Sequence, residues 1–330
     1  MSFFYATPAG SGAKTGANWA NAFSIVELMA HLLSTTAAGD IYFVAGGTYT
    51  LTASLLSPRD GAEALPAVII GVNTGTTAEP PTNADHASGV NRPLFACGAY
   101  RFQVDEYWNL YNLRATCTGI TAFAFDKYSK CYNCYASNSS GVALRSGFSA
   151  GGTGSEFLFC EAISTLGYAI KTSVGGKISE CWCHDSAIGA YTTRGDKVIQ
   201  NSIFSGNGTG IFAHYAGTVR NNTIYGNTIG IKGRDLGLLA FNNSITNNTT
   251  GILFDNAGVV VVPFMDDYNN YFGNTKDMSW DNGASENNSA KGPNSISVDP
   301  AYVDAANGNF SWASPNPMEG KDKLLDLGVG

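Results

Sequence analysis

The sequence predicts an all-β solenoid, a single-stranded right-handed parallel β-helix with coils of about 21 residues, and three observations predict it. First, segments beginning at Asn201, Asn222 and Asn243 start 21 residues apart (222−201 and 243−222), and each runs on to a Gly-Ile pair at Gly210, Gly230 and Gly251. Second, the same frame extends backward through Glu180, Phe159, Asn133 and Asn112, with a glycine column at Gly189, Gly167, Gly141 and Gly119. Third, residues one and three places after each glycine are apolar or small (Ile211 and Ala213, Ile252 and Phe254, Val142 and Leu144), the period-two alternation of strands facing a core. A unit this short cannot hold a helix pair, and Asn and Gly between runs of Ile, Val, Phe and Thr mark turns between short strands.

The elements follow in order. Residues 1–40 form an N-terminal cap: Ile25, Leu28, Met29, Leu32 and Leu33 have helical spacing, with Ser24 and Glu27 placed as a capping box, so a helix is expected near 22–34. An open solenoid end exposes unpaired strand edges, and this helix would plug the first coil. Coils occupy 41–255, beginning less regularly with Ile41-Tyr-Phe-Val44 and Ala67-Val-Ile-Ile70. The polar, irregular stretch 256–330 would supply a C-terminal coil and cap the other end, in one continuous domain. Stacked coils repeat at about 4.8 Å, so recurrent Asn residues are placed to hydrogen-bond along the stack.

Composition bounds the partners. Hydrophobic residues make up 44% and charged residues 14%, with 39 glycines, which favours ordered structure rich in turns. A net charge of −7 disfavours nucleic acid, which is bound through clustered Lys and Arg. The stretch after Met1 has no basic region leading into an apolar run, and no long apolar segment occurs, so neither a secretion signal nor a membrane span is expected. Seven cysteines cannot all pair within one chain, which fits cytoplasmic synthesis, with delivery to a virion or the exterior afterwards. Cys134, Cys160 and Cys181 fall in one column, continued by Ser202, Thr223 and Ser244. The Cys131-Tyr-Asn-Cys134 and Cys181-Trp-Cys183-His184 runs therefore read as small packing groups rather than zinc ligands.

Both ends resemble the pectate-lyase-like right-handed β-helix superfamily of bacterial surface and phage virion proteins. The first resembling segment is Tyr5-Ala-Thr-Pro-Ala-Gly10 with Thr15-Gly-Ala-Asn-Trp19-Ala-Asn-Ala-Phe23, and the second is Val298-Asp-Pro-Ala-Tyr-Val-Asp304 running to Gly308-Asn-Phe310. The resemblance implies architecture more than activity, because this superfold hosts lyases, hydrolases, epimerases, adhesins and structural proteins. The superfamily's hydrolases carry Asn-Thr-Asp, Gly-His-Gly and Arg-Ile-Lys motifs, but here Asn222-Thr223 continues into Ile224 and His214 sits between Ala213 and Tyr215. That departure points away from catalysis.

The fourth residue after each glycine gives an outward column of Arg145, Lys171, Thr193, His214, Arg234 and Asp255, with Tyr191 and Phe212 two residues earlier on the same face. Aromatic rings beside hydrogen-bonding groups suit a sugar or a partner surface. If the chain is an enzyme, His214, Arg234, Asp235 and Asp255 are its candidate catalytic set. The histidine would be general base, Arg234 or Lys171 would stabilise developing carboxylate charge, and calcium would be the one cofactor to expect, for a lyase. Asp266-Asp267 is assigned no role, since neighbours on a strand face opposite sides. The reading placed first is a structural virion-type protein, either capsid decoration, head fibre or small tail spike, forming a homotrimer with other virion proteins or a surface polysaccharide as partner. The alternatives are a polysaccharide lyase or hydrolase, and a non-catalytic glycan-binding adhesin.

Overall fold

The computed structural model describes residues 1–57, 61–146, 154–172, 174–193, 197–215, 217–234, 237–255, 265–281, 286–288 and 291–313. Three long parallel sheets build a right-handed β-helix, and each full coil contributes one strand to each. One coil shows the pattern: Val198–Gln200 lies in the first sheet, Ile203–Ser205 in the second and Thr209–His214 in the third. The chain divides into two compact units, 1–162 and 163–330. Among the described residues no helix is long and apolar enough to cross a membrane.

In the first unit, α1 (Ile25–Ser34) starts where its sequence predicts: Ser24 Oγ accepts from the Val26 N–H at 3.2 Å, and Glu27 Oε2 accepts from the Ser24 N–H at 3.1 Å. Leu28 and Leu32 are buried, while Leu33 lies exposed on the far side. Inside this unit the core is aromatic. Tyr49, Phe95, Phe102 and Phe123 form a chain of ring contacts with centroids 5.2, 4.8 and 5.3 Å apart. Cys131, Cys134 and Cys160 are buried and are not joined in disulfides. The Cys134 and Cys160 thiols donate to the carbonyls of Tyr132 and Leu158. Burial pushes the Cys131 and Cys134 thiols well up, so they stay protonated and pack as small groups.

The second unit is aliphatic inside. Across its third sheet Ile170, Ala190, Ile211, Ile231, Ile252 and Met278 pair in register, and all are buried. Each such isoleucine stabilises the stack by roughly 1.5–3 kcal/mol relative to an exposed one. Two asparagine ladders run beside this core. In one, the Asn222 side chain donates to Asn243 Oδ1 at 3.0 Å and Asn243 to Asn269 Oδ1 at 2.9 Å. In the other, Asn207 donates to Asn227, Asn227 to Asn248 and Asn248 to Asn274, each at 3.0 Å. Each of these Oδ1 atoms also accepts the backbone N–H of the preceding rung, so buried turn amides find partners. The ladders end on carboxylates: Asn274 donates to Asp277 Oδ1 at 3.1 Å, and Asn269 to Asp266 Oδ1.

The ladders correct the expected columns. Asn201 is not a rung. It occupies a column of left-handed turn residues with Glu180, Asn221 and Asn242, all at φ near +50 to +58°. The rung before Asn222 is Ser202, whose N–H donates to Asn222 Oδ1, because the intervening coil has 20 residues, not 21. Likewise Cys181 continues through Ser202 into Asn222 and Asn243, not into Thr223 and Ser244. Ile296 bridges Asn270 as a partial last coil, and the chain then lies along the outer face of the second sheet, with Tyr302 Oη 2.7 Å from Ser244 Oγ. Asp266 and Asp267 anchor this segment: Asp266 Oδ2 accepts from the Gly292 N–H at 2.8 Å, and both Asp267 oxygens accept from Asn294 at 2.8 Å.

Candidate functional site

Strands Tyr168–Thr172, Ile188–Thr192, Thr209–His214, Ile229–Arg234 and Thr250–Asp255 hold one outward face of the second unit's third sheet. Parallel pairing fixes which side chains are neighbours. Lys171 pairs with Tyr191, Tyr191 with Phe212, Phe212 with Lys232 and Lys232 with Leu253. One column over, His214 pairs with Arg234 and Arg234 with Asp255.

This register moves Lys171. It stands with Tyr191 and Phe212, two residues off the expected alignment with His214, because Gly167 is not the equivalent of Gly189; Ala169 is, and its strand pairs Thr172 with Thr192. Arg145 belongs to the first unit, where it pairs with Ala124. Asp235 lies outside the described residues. Tyr191, Phe212, His214, Arg234 and Asp255 do share one face.

On that face two rings lie between two cations. The Lys171 ammonium lies 5.2 Å from the Tyr168 ring centroid and 5.4 Å from that of Tyr191. Lys232 Nζ and Arg234 Cζ lie 5.2 and 5.5 Å from the Phe212 centroid. Tyr168 and Tyr191 stack at 4.8 Å, and His214 stacks on Tyr215 at 4.3 Å with its Nδ1 3.2 Å from the Tyr191 hydroxyl. Such contacts are each worth about 0.5–1 kcal/mol at exposed sites, and together they hold long side chains in defined positions.

Asp255 is the buried acid of the site. Its carboxylate is 3.0 Å from Lys232 Nζ and accepts from Arg234 Nε at 2.9 Å and from Arg234 Nη2. Burial alone would raise its pKa, but the hydrogen bonds and charges of Lys232 and Arg234 outweigh that and hold it below the usual carboxylate range. A carboxylate bonded to two cations is suited to holding them in place. Burial and the neighbouring Tyr168 hydroxyl push Tyr191 up, so it is a neutral hydroxyl at physiological pH. On these five strands Lys171, Lys232 and Arg234 stand beside the Asp255 carboxylate.

Residues 167–299 match the family model for a right handed beta helix region. Comparison with curated proteins returned no match. Among solved structures the chain is similar to pectate lyase Pel9A, at 13% identity and TM-score 0.58, covering 98% of this chain and 87% of that one. It is similar to XylC, solved in complex with xylose, at 9% identity and TM-score 0.52, covering 91% and 87%. An alginate lyase from Paenibacillus sp. matches at 15% identity and TM-score 0.47, covering 90% and 98%. The fold is a right-handed parallel β-helix, shared with pectate lyase Pel9A.

Proposed function

We propose that this chain is a glycan-binding protein whose ligand is an acidic polysaccharide, held along the third-sheet face of its second unit. The observation that carries the reading is the column Lys171, Tyr191, Phe212, Lys232 with Arg234 beside it. Rings supply flat apolar surface for sugar C–H faces, and Lys171 and Lys232, three coils apart with Arg234 beside the latter, supply partners for uronate carboxylates spaced along the polymer. The shared fold with a pectate lyase makes uronate polymers the ligands to test first. Asp255 neutralises part of this charge but fixes Lys232 and Arg234 in place, so less side-chain entropy is lost when the ligand arrives.

Affinity electrophoresis and calorimetry against polygalacturonate, alginate and a neutral glucan test the reading. Expected is binding to an acidic polymer that weakens with salt, as screened charge contacts do, and that falls about tenfold in Phe212→Ala, the worth of one lost platform. Acidic-polymer binding that neither weakens with salt nor falls in Phe212→Ala would sink it. Absence of binding to every glycan returns the virion-type structural role as the reading to pursue.

A lyase is the second reading, favoured by one arrangement: His214 Nδ1 beside the Tyr191 hydroxyl, next to Arg234 across the strand pair. A lyase needs a base to take the proton α to the uronate carboxylate and a cation to stabilise the resulting charge. Ultraviolet absorbance of unsaturated products that disappears in His214→Ala would establish it, with calcium included in the assay.

A further inference from the structure

A second concave site lies on the outer face of the second sheet, away from the residues of the cationic face. Trp182, His184, Ser205 and Tyr225 form its walls, and the turn Ala305–Asn307 with Gly308 overhangs it, leaving a half-open pocket of about 360 Å³. Its groups are fixed before any ligand arrives. Trp182 and His184 stack with centroids 3.9 Å apart, and the Trp182 indole N–H donates to Ser205 Oγ at 3.0 Å. His184 Nδ1 is 2.8 Å from Asp185 Oδ2, which holds the imidazole in one orientation. Asp185 reaches its neighbour because its backbone is left-handed (φ 49°), which turns the carboxylate back beside the preceding ring.

The roof is equally determined. Gly308 has φ 80° and lies so close to Trp182 that an added Cβ would sit 2.7 Å from the indole ring. Asn307 is tied to Asp304 by its own N–H at 3.3 Å and its side-chain amide at 2.8 Å. Tyr225 is wedged edge-on against Phe310 at 5.4 Å.

We propose that this cavity is a binding site for a single neutral hexopyranose ring. Volume, aromatic walls and a small set of oriented polar groups match one sugar unit, whose C–H face would lie against the rings. The Asp185 side chain is 74% exposed and offers a carboxylate to a pair of adjacent hydroxyls. The same carboxylate repels a uronate, so this site selects against the ligand class proposed for the cationic face and stands independently of that reading.

The test is saturation-transfer NMR on the whole chain with the methyl pyranosides of glucose, galactose and mannose, with N-acetylglucosamine, and with glucuronate as counter-ligand. Expected is transfer from at least one neutral sugar that an excess of glucuronate does not displace, and a loss of affinity of about tenfold or more in Asp185→Asn, as for a lost charged hydrogen bond. Asparagine tolerates the left-handed backbone, and Ala306→Trp provides a second route by filling the cavity from its roof. Binding should persist in Phe212→Ala. No transfer from any neutral sugar, transfer that survives both pocket variants, or competition by glucuronate would each overturn the proposal.

Discussion

Replacing Lys197 by methionine should stabilise this protein, and the pH dependence of the gain is calculable. Lys197 is 2% exposed, lies just before the strand Val198–Gln200 in alternation with buried Ile199, and its ammonium has no hydrogen-bond partner among the described residues. Burial lowers its pKa from 10.5 to about 7. Above the folded value the native amine is neutral while the unfolded chain still binds a proton. Stability therefore rises with pH from about 7 to 10.5, and below pH 7 the full cost of a buried charge is present. At 1.36 kcal/mol per pK the cost is about 5 kcal/mol at pH 6 and about 2 kcal/mol at pH 9. Urea unfolding at pH 6, 7.5 and 9 should show the wild type gaining stability over this range by about 2–3 kcal/mol. Lys197→Met should lie above it throughout, with the largest margin at pH 6. A methionine variant less stable at pH 6, or one that keeps the wild-type slope, refutes the reasoning.

Two further perturbations follow. Asn227→Ala strips a buried rung that accepts from Asn207 and donates to the Phe204 carbonyl and Asn248. It should cost about 3 kcal/mol or more in the same urea assay, since several buried groups lose partners together. Asp255→Asn breaks the pair with Lys232 and Arg234 and should cost about 3 kcal/mol at pH 7, as one-sided loss of a buried ion pair does. Because the folded pKa of Asp255 is depressed, its contribution is present above the unfolded value of about 3.9 and is lost as pH falls through the folded value. The difference between variant and wild type should therefore shrink in acid, and a constant difference down to pH 2 would exclude the ion pair as its source.

The coil repeat was legible because turns impose it. Glu180 and Asn201 were aligned correctly because both occupy the same left-handed turn position. Projecting on to Asn222 then crossed a 20-residue coil and landed one column over. A single missing residue is invisible when Asn fills both columns. Lys171 was misplaced for a related reason: a glycine served as the marker, and in that coil the marker position holds Ala169. The cationic face was therefore half legible. Tyr191 and Phe212 were placed on it, whereas Lys232, which completes the column, lies one residue after an aligned apolar position and drew no notice. The Asp255 ion pair depends on side-chain reach, which spacing does not encode. The His184 pocket was hidden twice, since adjacent strand residues face opposite sides unless the second turns left-handed, and since its roof arrives from more than 100 residues downstream (305−184 = 121).

Both asparagine ladders run one way. Every rung gives its N–H to the following coil, so the amide dipoles add head to tail and partial positive charge gathers at the last rung. The carboxylates of Asp266 and Asp277 stand where that charge emerges. The second unit is thus a polarised filament with an anionic terminator. A graft that lengthens it can duplicate any interior coil, whose amide hands the bond onward, but one that moves the end must carry an acid with it.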